Sequence, residues 1–160
     1  MTSKAAKQPI LVPIDFSPGS ESALLQAAEL AEALQAPLSV LHVVHDLTAT
    51  PGYKALKGAK KQLRRMEDIA AEILQEYMQE MQKKYPEIAA LHKAETLLVV
   101  GIPVTRILEA AGKINACMIV MGSQGRTRIK QMLIGSKAAQ IIQLCPVPVT
   151  VVKGKNKNKK

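Results

Sequence analysis

Residues 10 to 21 read Ile10-Leu11-Val12-Pro13-Ile14-Asp15-Phe16-Ser17-Pro18-Gly19-Ser20-Glu21, an apolar run that passes directly into the chemistry of a helix start. Ser17 can accept backbone amides as an N-cap, Pro18 suits a first helical position whose donor would be unpaired anyway, and Glu21 complements the positive helix end. Leu24, Ala27, Ala28, Ala31 and Leu34 then recur at the spacing of one helical face, and the stretch stops before Pro37. The unit is strand, turn, helix.

Outward from this unit the same alternation repeats. Leu38 to Val44 is β-rich, and Asp46 to Gly58, with Pro51 and Gly52, lacks either period and reads as a loop. Leu63, Met66, Ala70, Ile73 and Tyr77 space a second helix, closed by Pro86; with only about two heptads available, packing on a sheet is expected rather than a coiled coil. Thr96 to Val100 is a third strand, Pro103 to Ala111 a short helix ended by Gly112, and Cys117 to Met121 a fourth strand. A last helix starts near Ser136 and stops before Pro146, leaving Val147 to Val152 as strand five. Apolar strands without period-two alternation, separated by helices, predict one doubly wound α/β domain: a five-stranded parallel sheet with right-handed crossovers and helices on both faces. In such sheets ligands sit beyond the strand carboxyl ends, where the winding reverses.

At 160 residues the chain matches a single domain, which typically runs to about 100 to 200 residues. With 48% hydrophobic and 22% charged residues it has enough apolar material for a core and too much for a disordered polyelectrolyte. Its longest apolar runs fall far short of the roughly 20 residues of a membrane span, and residues 1 to 10 show no apolar core of a signal peptide, so a cytoplasmic protein is expected. The net charge is +9, but Lys153, Lys155, Lys157, Lys159, Lys160, Lys4 and Lys7 account for seven of it, leaving a body of +2. The flexible ends are placed at 1–8 and 154–160, around a domain at 9–153. Nucleic acid is not an expected partner, because one Phe, three Tyr and no Trp cannot build a base-stacking platform. Cys117 and Cys145 read as small core hydrophobes, and His42 and His45, three apart in a strand, point to opposite faces and cannot chelate. No metal site and no catalytic set is expected.

The chemistry concentrates after strand four, in Met121-Gly122-Ser123-Gln124-Gly125 and, beyond a spacer, Gly135-Ser136. Glycines after a strand let backbone amides approach an anion that side chains would block. Gly135 and Ser136 open a helix whose first-turn amides and positive end suit phosphate oxygens, with Lys137 as an extra charge. A Walker A loop or a dinucleotide fingerprint would place its glycines after the first strand, where Ser17-Pro18-Gly19 supplies neither spacing. Read from the residues alone, Gly122 and Gly125 equally suit a strand end and a turn.

Gly122-x2-Gly125-x9-Gly135-Ser136 resembles the G-2x-G-9x-G-[ST] signature of the nucleotide-binding branch of the universal stress protein family. Val12-Pro13-Ile14-Asp15-Phe16-Ser17, Leu41-His42-Val43, Val100-Gly101-Ile102-Pro103 and Pro146-Val147-Pro148-Val149 are similar to that family in the same order, so the resemblance spans about residues 8 to 153. It implies the adenine-nucleotide alpha-hydrolase-like fold. It also implies ATP as ligand, with ADP or AMP as alternates and Mg2+ only alongside the nucleotide. Pro13 and Asp15 would line the cleft, Val43 would offer its backbone to adenine, Met121, Gly122, Ser123 and Gly125 would wrap ribose and phosphates, and Gly135 with Ser136 would hold the terminal phosphates. Gly101, Arg126 and Lys137 are peripheral candidates. A carboxylate at the position of Asp15 equally suits capping of the following turn. The expected role is a dimeric regulatory or stress-response module with an unknown protein partner, paired through the edge strand 147–152, which Pro148 marks as an edge. The alternatives are a slow ATPase, for which Asp15 is the sole water-positioning candidate, and a nucleotide-free dimerising module.

Overall fold

The computed structural model describes residues 7–46, 59–125 and 134–154. Most of the expected loop at 46–58, most of both expected flexible ends, and Arg126, Arg128 and Lys130 lie outside the described residues. The chain runs β1 (Ile10–Ile14), α1 (Pro18–Leu34), β2 (Leu38–His45), α2 (Ala59–Lys84), α3 (Ala89–His92), β3 (Glu95–Gly101), α4 (Pro103–Lys113), β4 (Met118–Gly122), α5 (Ser136–Leu144) and β5 (Val149–Val152). All strands pair in parallel in the order β3-β2-β1-β4-β5, so the winding reverses between β1 and β4. This is the doubly wound α/β sheet expected from the strand pattern.

Side-chain alternation along each strand divides the core in two. Ile10, Val12 and Ile14 of β1 join Val40 of β2 and Val120 of β4 beneath Leu24, Ala27, Ala28 and Ala31 of α1, Leu74, Met78 and Met81 of α2, and Leu91 of α3. Leu11, Leu41, Ile119 and Met121 point the other way, onto Ile107 and Ala111 of α4 and Ala138 and Ile141 of α5. A strand covered on both faces has no polar side to present, which is why the sequence shows continuous apolar runs. Each fully buried aliphatic side chain contributes about 1.5 to 3 kcal/mol.

Local chemistry explains the element boundaries. Ser17 caps α1 by accepting the Ser20 amide at 3.2 Å, and Pro18 follows at the first helical position. Four expectations are corrected. Gly112 does not end α4, which runs on to Lys113; the left-handed residue is Asn115 at φ 53°, a conformation asparagine tolerates through its short polar side chain. Leu34, placed on the core face of α1, is half exposed in the last turn of the helix. The single turn α3 went unforeseen, since four residues carry no period. Strand five begins at Val149 rather than Val147, and the Pro148 carbonyl accepts from the Ile119 amide at 2.9 Å. β5 is an edge strand as expected, while Pro148 stands immediately before it, where a missing donor costs no ladder bond.

β1 carries a proline inside a central strand. Cys117 N–H donates to the Pro9 carbonyl and Ile10 N–H to the Pro37 carbonyl, so residues 9, 11 and 13 direct their backbone groups toward β4 and residues 10, 12 and 14 toward β2. Pro13 therefore lacks its donor on the β4 side. The β1–β4 register covers only Ile10↔Met118 and Leu11↔Ile119, whereas β1 pairs with β2 along its whole length. The ladder stops at the carboxyl end of the switch point, and a crevice opens there.

Candidate functional site

A cavity of about 650 Å3 occupies this crevice. Its volume lies within the range typical of small-molecule sites. Pro13 and Asp15 line it from the end of β1, Val43 from β2, Met121, Gly122, Ser123 and Gly125 from the end of β4, and Gly135, Ser136 and Lys137 from the start of α5. Residues more than 120 positions apart are thereby brought to one wall. Gly101 is not part of the lining: it ends β3 at φ +148°, and a Cβ there would come within 2.4 Å of the Arg106 Nε, which donates to the Val100 carbonyl. Its conformation answers to that packing. Arg126 lies outside the described residues.

The loop beyond β4 is held by backbone bonds. Ser123 N–H donates to the Val152 carbonyl at 2.9 Å, and Gly135 N–H donates to the Ser123 carbonyl at 2.7 Å, so the start of α5 is tied to the end of β4. Gly122 is required by close approach: a side chain would bring its Cβ to 3.0 Å from the Gly19 carbonyl at the start of α1. A Cβ on Gly125 would stand 3.1 Å from the Asp15 carboxylate, a tight contact that a small shift of that side chain would relieve.

The two helix starts near the cavity differ. α1 is capped by its own Ser17. α5 is preceded by Gly135 in an extended conformation with no side-chain cap, and its first internal bond is from Ala139 N–H to the Gly135 carbonyl. The amides of Ser136, Lys137 and Ala138 thus have no acceptor within the helix, and these residues line the cavity beside the exposed Lys137 ammonium. Three donors, a positive helix end and a cation suit an anion.

Asp15 serves both roles that its sequence position allows. Its Oδ1 accepts the Ser17 amide at 3.1 Å, forming an Asx turn, while the residue also lines the cavity. The turn forces Phe16 to φ 64°, a left-handed conformation that costs about 1 kcal/mol or more for a bulky residue. That conformation lays the Phe16 ring against His42, centroids 4.5 Å apart, with Tyr77 edge-on at 5.3 Å. His42 Nδ1 lies 2.9 Å from the Ile14 carbonyl, which can only accept, so Nδ1 carries the proton. Tyr77 Oη is buried without a hydrogen-bond partner among the described residues, and burial, with the Glu21 carboxylate next, raises its pKa above the ordinary phenol value.

Several lining residues were not singled out as site residues from the sequence: Phe16, Ser20, His42, Gln124, Pro103 and Ile107, together with Met66, Ile69, Ala70 and Ile73 of α2. Phe16 and His42 flank residues that were singled out, and their adjacency to Asp15 and Val43 was the available signal. Of the α2 positions, Met66, Ala70 and Ile73 read as sheet-packing residues and Ile69 was not singled out. In fact α2 has one broad apolar face whose two sides meet different neighbours, Leu74, Met78 and Met81 the sheet core and Met66, Ile69, Ala70 and Ile73 the cavity. Among the described residues no cluster of three His, Cys, Asp or Glu side chains could hold a metal ion, and no helix is long and apolar enough to cross a membrane.

The model of the universal stress protein family matches residues 7–153. The universal stress protein MJ0531 of Methanocaldococcus jannaschii is 33% identical over 146 residues, covering 90% of this chain and 81% of that protein. Among solved structures, the universal stress protein UspA from Lactobacillus plantarum superposes with a TM-score of 0.76 at 26% identity, over 92% of this chain and 99% of that one. A universal stress protein solved in complex with cAMP shares the fold at a TM-score of 0.58 and 23% identity, over 94% and 100% of the two chains.

Proposed function

The chain belongs to the universal stress protein family, and on that premise we propose that it is a regulatory module that binds an adenine nucleotide reversibly, ATP first among them. What another protein of this fold holds, such as cAMP, is a property of that protein. The observation that carries the reading here is convergence: residues from β1, β2, β4 and α5 line one cavity at the switch point, with the uncapped start of α5 opening into it. In this reading the base lies against β2 at Val43, Met121 to Gly125 and Asp15 surround the ribose and first phosphate, and Ser136 and Lys137 take the terminal phosphates. The residues fit the group, since the first-turn amides of α5, the Lys137 ammonium and the close backbone approach at Gly122 suit a polyanion. A divalent cation would arrive with the phosphates, with Asp15 the carboxylate at hand. Occupancy would act by shifting the affinity of the protein for a second copy or for a protein partner, by as much as its differential binding to the two states.

Calorimetric titration with ATP tests this. Gly135→Val is the cleaner control variant, because the Gly135 backbone is at φ −69°, open to any residue, and its Cβ would meet nothing closer than 3.4 Å. Saturable binding by the wild type, lost in this variant, supports the reading; no binding by the wild type overturns it. Asp15 in the cavity favours a second reading, slow hydrolysis. Phosphate release over hours that Asp15→Ala abolishes would establish it, and binding without release would dismiss it.

A further inference from the structure

α2 carries three large aliphatic side chains that the fold leaves in the open. Met66 is 50% exposed, Ile69 46% and Ile73 43%, although Leu74, Met78 and Met81 on the same helix are buried in the sheet core. The three are not scattered: they follow one another at spacings of three and four on one helical face, and all of them line the cavity. Exposed apolar surface of this kind, at the wall of a concave site, is the feature that distinguishes a ligand wall from ordinary surface scatter.

The position of the wall decides its occupant. α2 packs over β2 and β3, while the anion-suited backbone lies beyond β4 at the start of α5. α2 and α5 cover opposite faces of the sheet, so the cavity that both line runs around the carboxyl ends of the strands, apolar on the α2 side and amide-lined on the α5 side. One molecule that reaches both must be apolar and flat at one end and anionic at the other. A bare polyphosphate satisfies the second part and leaves the wall wet.

We propose that Met66, Ile69 and Ile73 are the positioning residues for the heterocyclic base of the ligand, so that this cavity takes a base-bearing nucleotide in preference to the phosphate chain alone. The inference rests on the nucleotide reading above and adds the element that selects the base. Aliphatic side chains offer apolar burial and dispersion to the face of a ring and no hydrogen bonds to its edge. The wall therefore supplies affinity for any planar base, and larger affinity for a purine than for a pyrimidine, without reading the exocyclic groups. It also provides an apolar face for the base in a chain with one Phe and no Trp.

The test uses the full chain, calorimetry, and three probes: ATP, CTP and inorganic tripolyphosphate. The variant Ile69→Gln/Ile73→Gln keeps helix propensity and alters side chains that are already exposed, so the fold should persist, as circular dichroism checks. ATP affinity should fall about tenfold or more, CTP affinity should fall less, and tripolyphosphate affinity should not change. Ile69→Leu/Ile73→Leu should restore ATP binding. Gly135→Val should weaken ATP and tripolyphosphate together, which separates the two ends of the cavity. Undiminished ATP affinity in the glutamine variant overturns the wall while leaving the nucleotide reading intact. So does a matching loss for tripolyphosphate, or wild-type protein that binds tripolyphosphate as tightly as ATP. Wild-type protein that binds neither overturns both.

Discussion

Pro13 shows how one missing hydrogen atom shapes the site. Every other residue of β1 has a donor for its neighbour, and the single gap falls on the β4 side at the rim of the crevice. Pro13→Val should let the ladder advance by one bond, worth about 1 kcal/mol, while relaxing the unfolded chain by a similar amount, so net stability should move by less than about 1 kcal/mol. The informative readout is hydrogen exchange: the new amide at position 13 should be protected, and exchange at the rate of an open loop would show that the crevice has another cause. Tyr77 offers a second test at this scale. Its buried hydroxyl has no hydrogen-bond partner among the described residues, so Tyr77→Phe should stabilise by about 1 kcal/mol in urea titrations. Because its pKa is raised in the folded state, Tyr77 favours folding below its unfolded pKa near 10, and that contribution is lost as pH rises beyond it. Wild type should therefore lose stability above pH 10 more steeply than the phenylalanine variant; equal slopes would contradict the burial.

Two elements meet the cavity with opposite needs at their ends. α1 is self-sufficient: Ser17 accepts from Ser20, and Ser20 Oγ donates to the Ser17 carbonyl at 2.9 Å. Ser17→Ala should cost about 1 kcal/mol of stability, measured by chemical denaturation, and a loss of only a few tenths would mean that Asp15 and Pro18 suffice to start the helix. α5 has no such cap. α2 is fastened at its far end, where Lys84 Nζ meets Glu21 of α1 at 2.6 Å and Tyr85 Oη reaches the same carboxylate at 3.3 Å. The hydrogen bond to Glu21 raises the Lys84 pKa, so the contact favours folding at neutral pH and fades only above the ordinary lysine range. The helix is thus held at its carboxyl end, with its apolar stripe at the other end, by the cavity.

For the molecule as a whole, the open question is the free edge of β5. The carbonyls of Pro148 and Val152 accept from β4, so by alternation Val149 and Val151 direct their N–H and C=O groups outward. An apolar edge with outward donors is a template for another strand. If a second copy pairs at this edge, Val151→Pro removes an outward donor without touching the β4 ladder, and sedimentation velocity should show a shift from dimer to monomer. A variant that remains dimeric would move the interface elsewhere.

Sequence alone determined the fold class and the order of elements apart from the single turn α3, because apolar period and helix-cap chemistry are local properties written in consecutive residues. Through the family resemblance of its motifs it also pointed to Pro13, Asp15, Val43, Met121, Gly122, Ser123, Gly125, Gly135 and Ser136, which share one cavity. Tertiary structure decided the rest. The side of α2 that meets the cavity has the same period as the side that meets the sheet, so only packing could separate Met66, Ile69 and Ile73 from Leu74 and Met78. The meaning of Pro13 depends on which strand lies on its donor side, and strand order is a property of the whole chain. Period and capping are settled within a few neighbours, whereas a cavity exists only where distant segments fail to close upon one another.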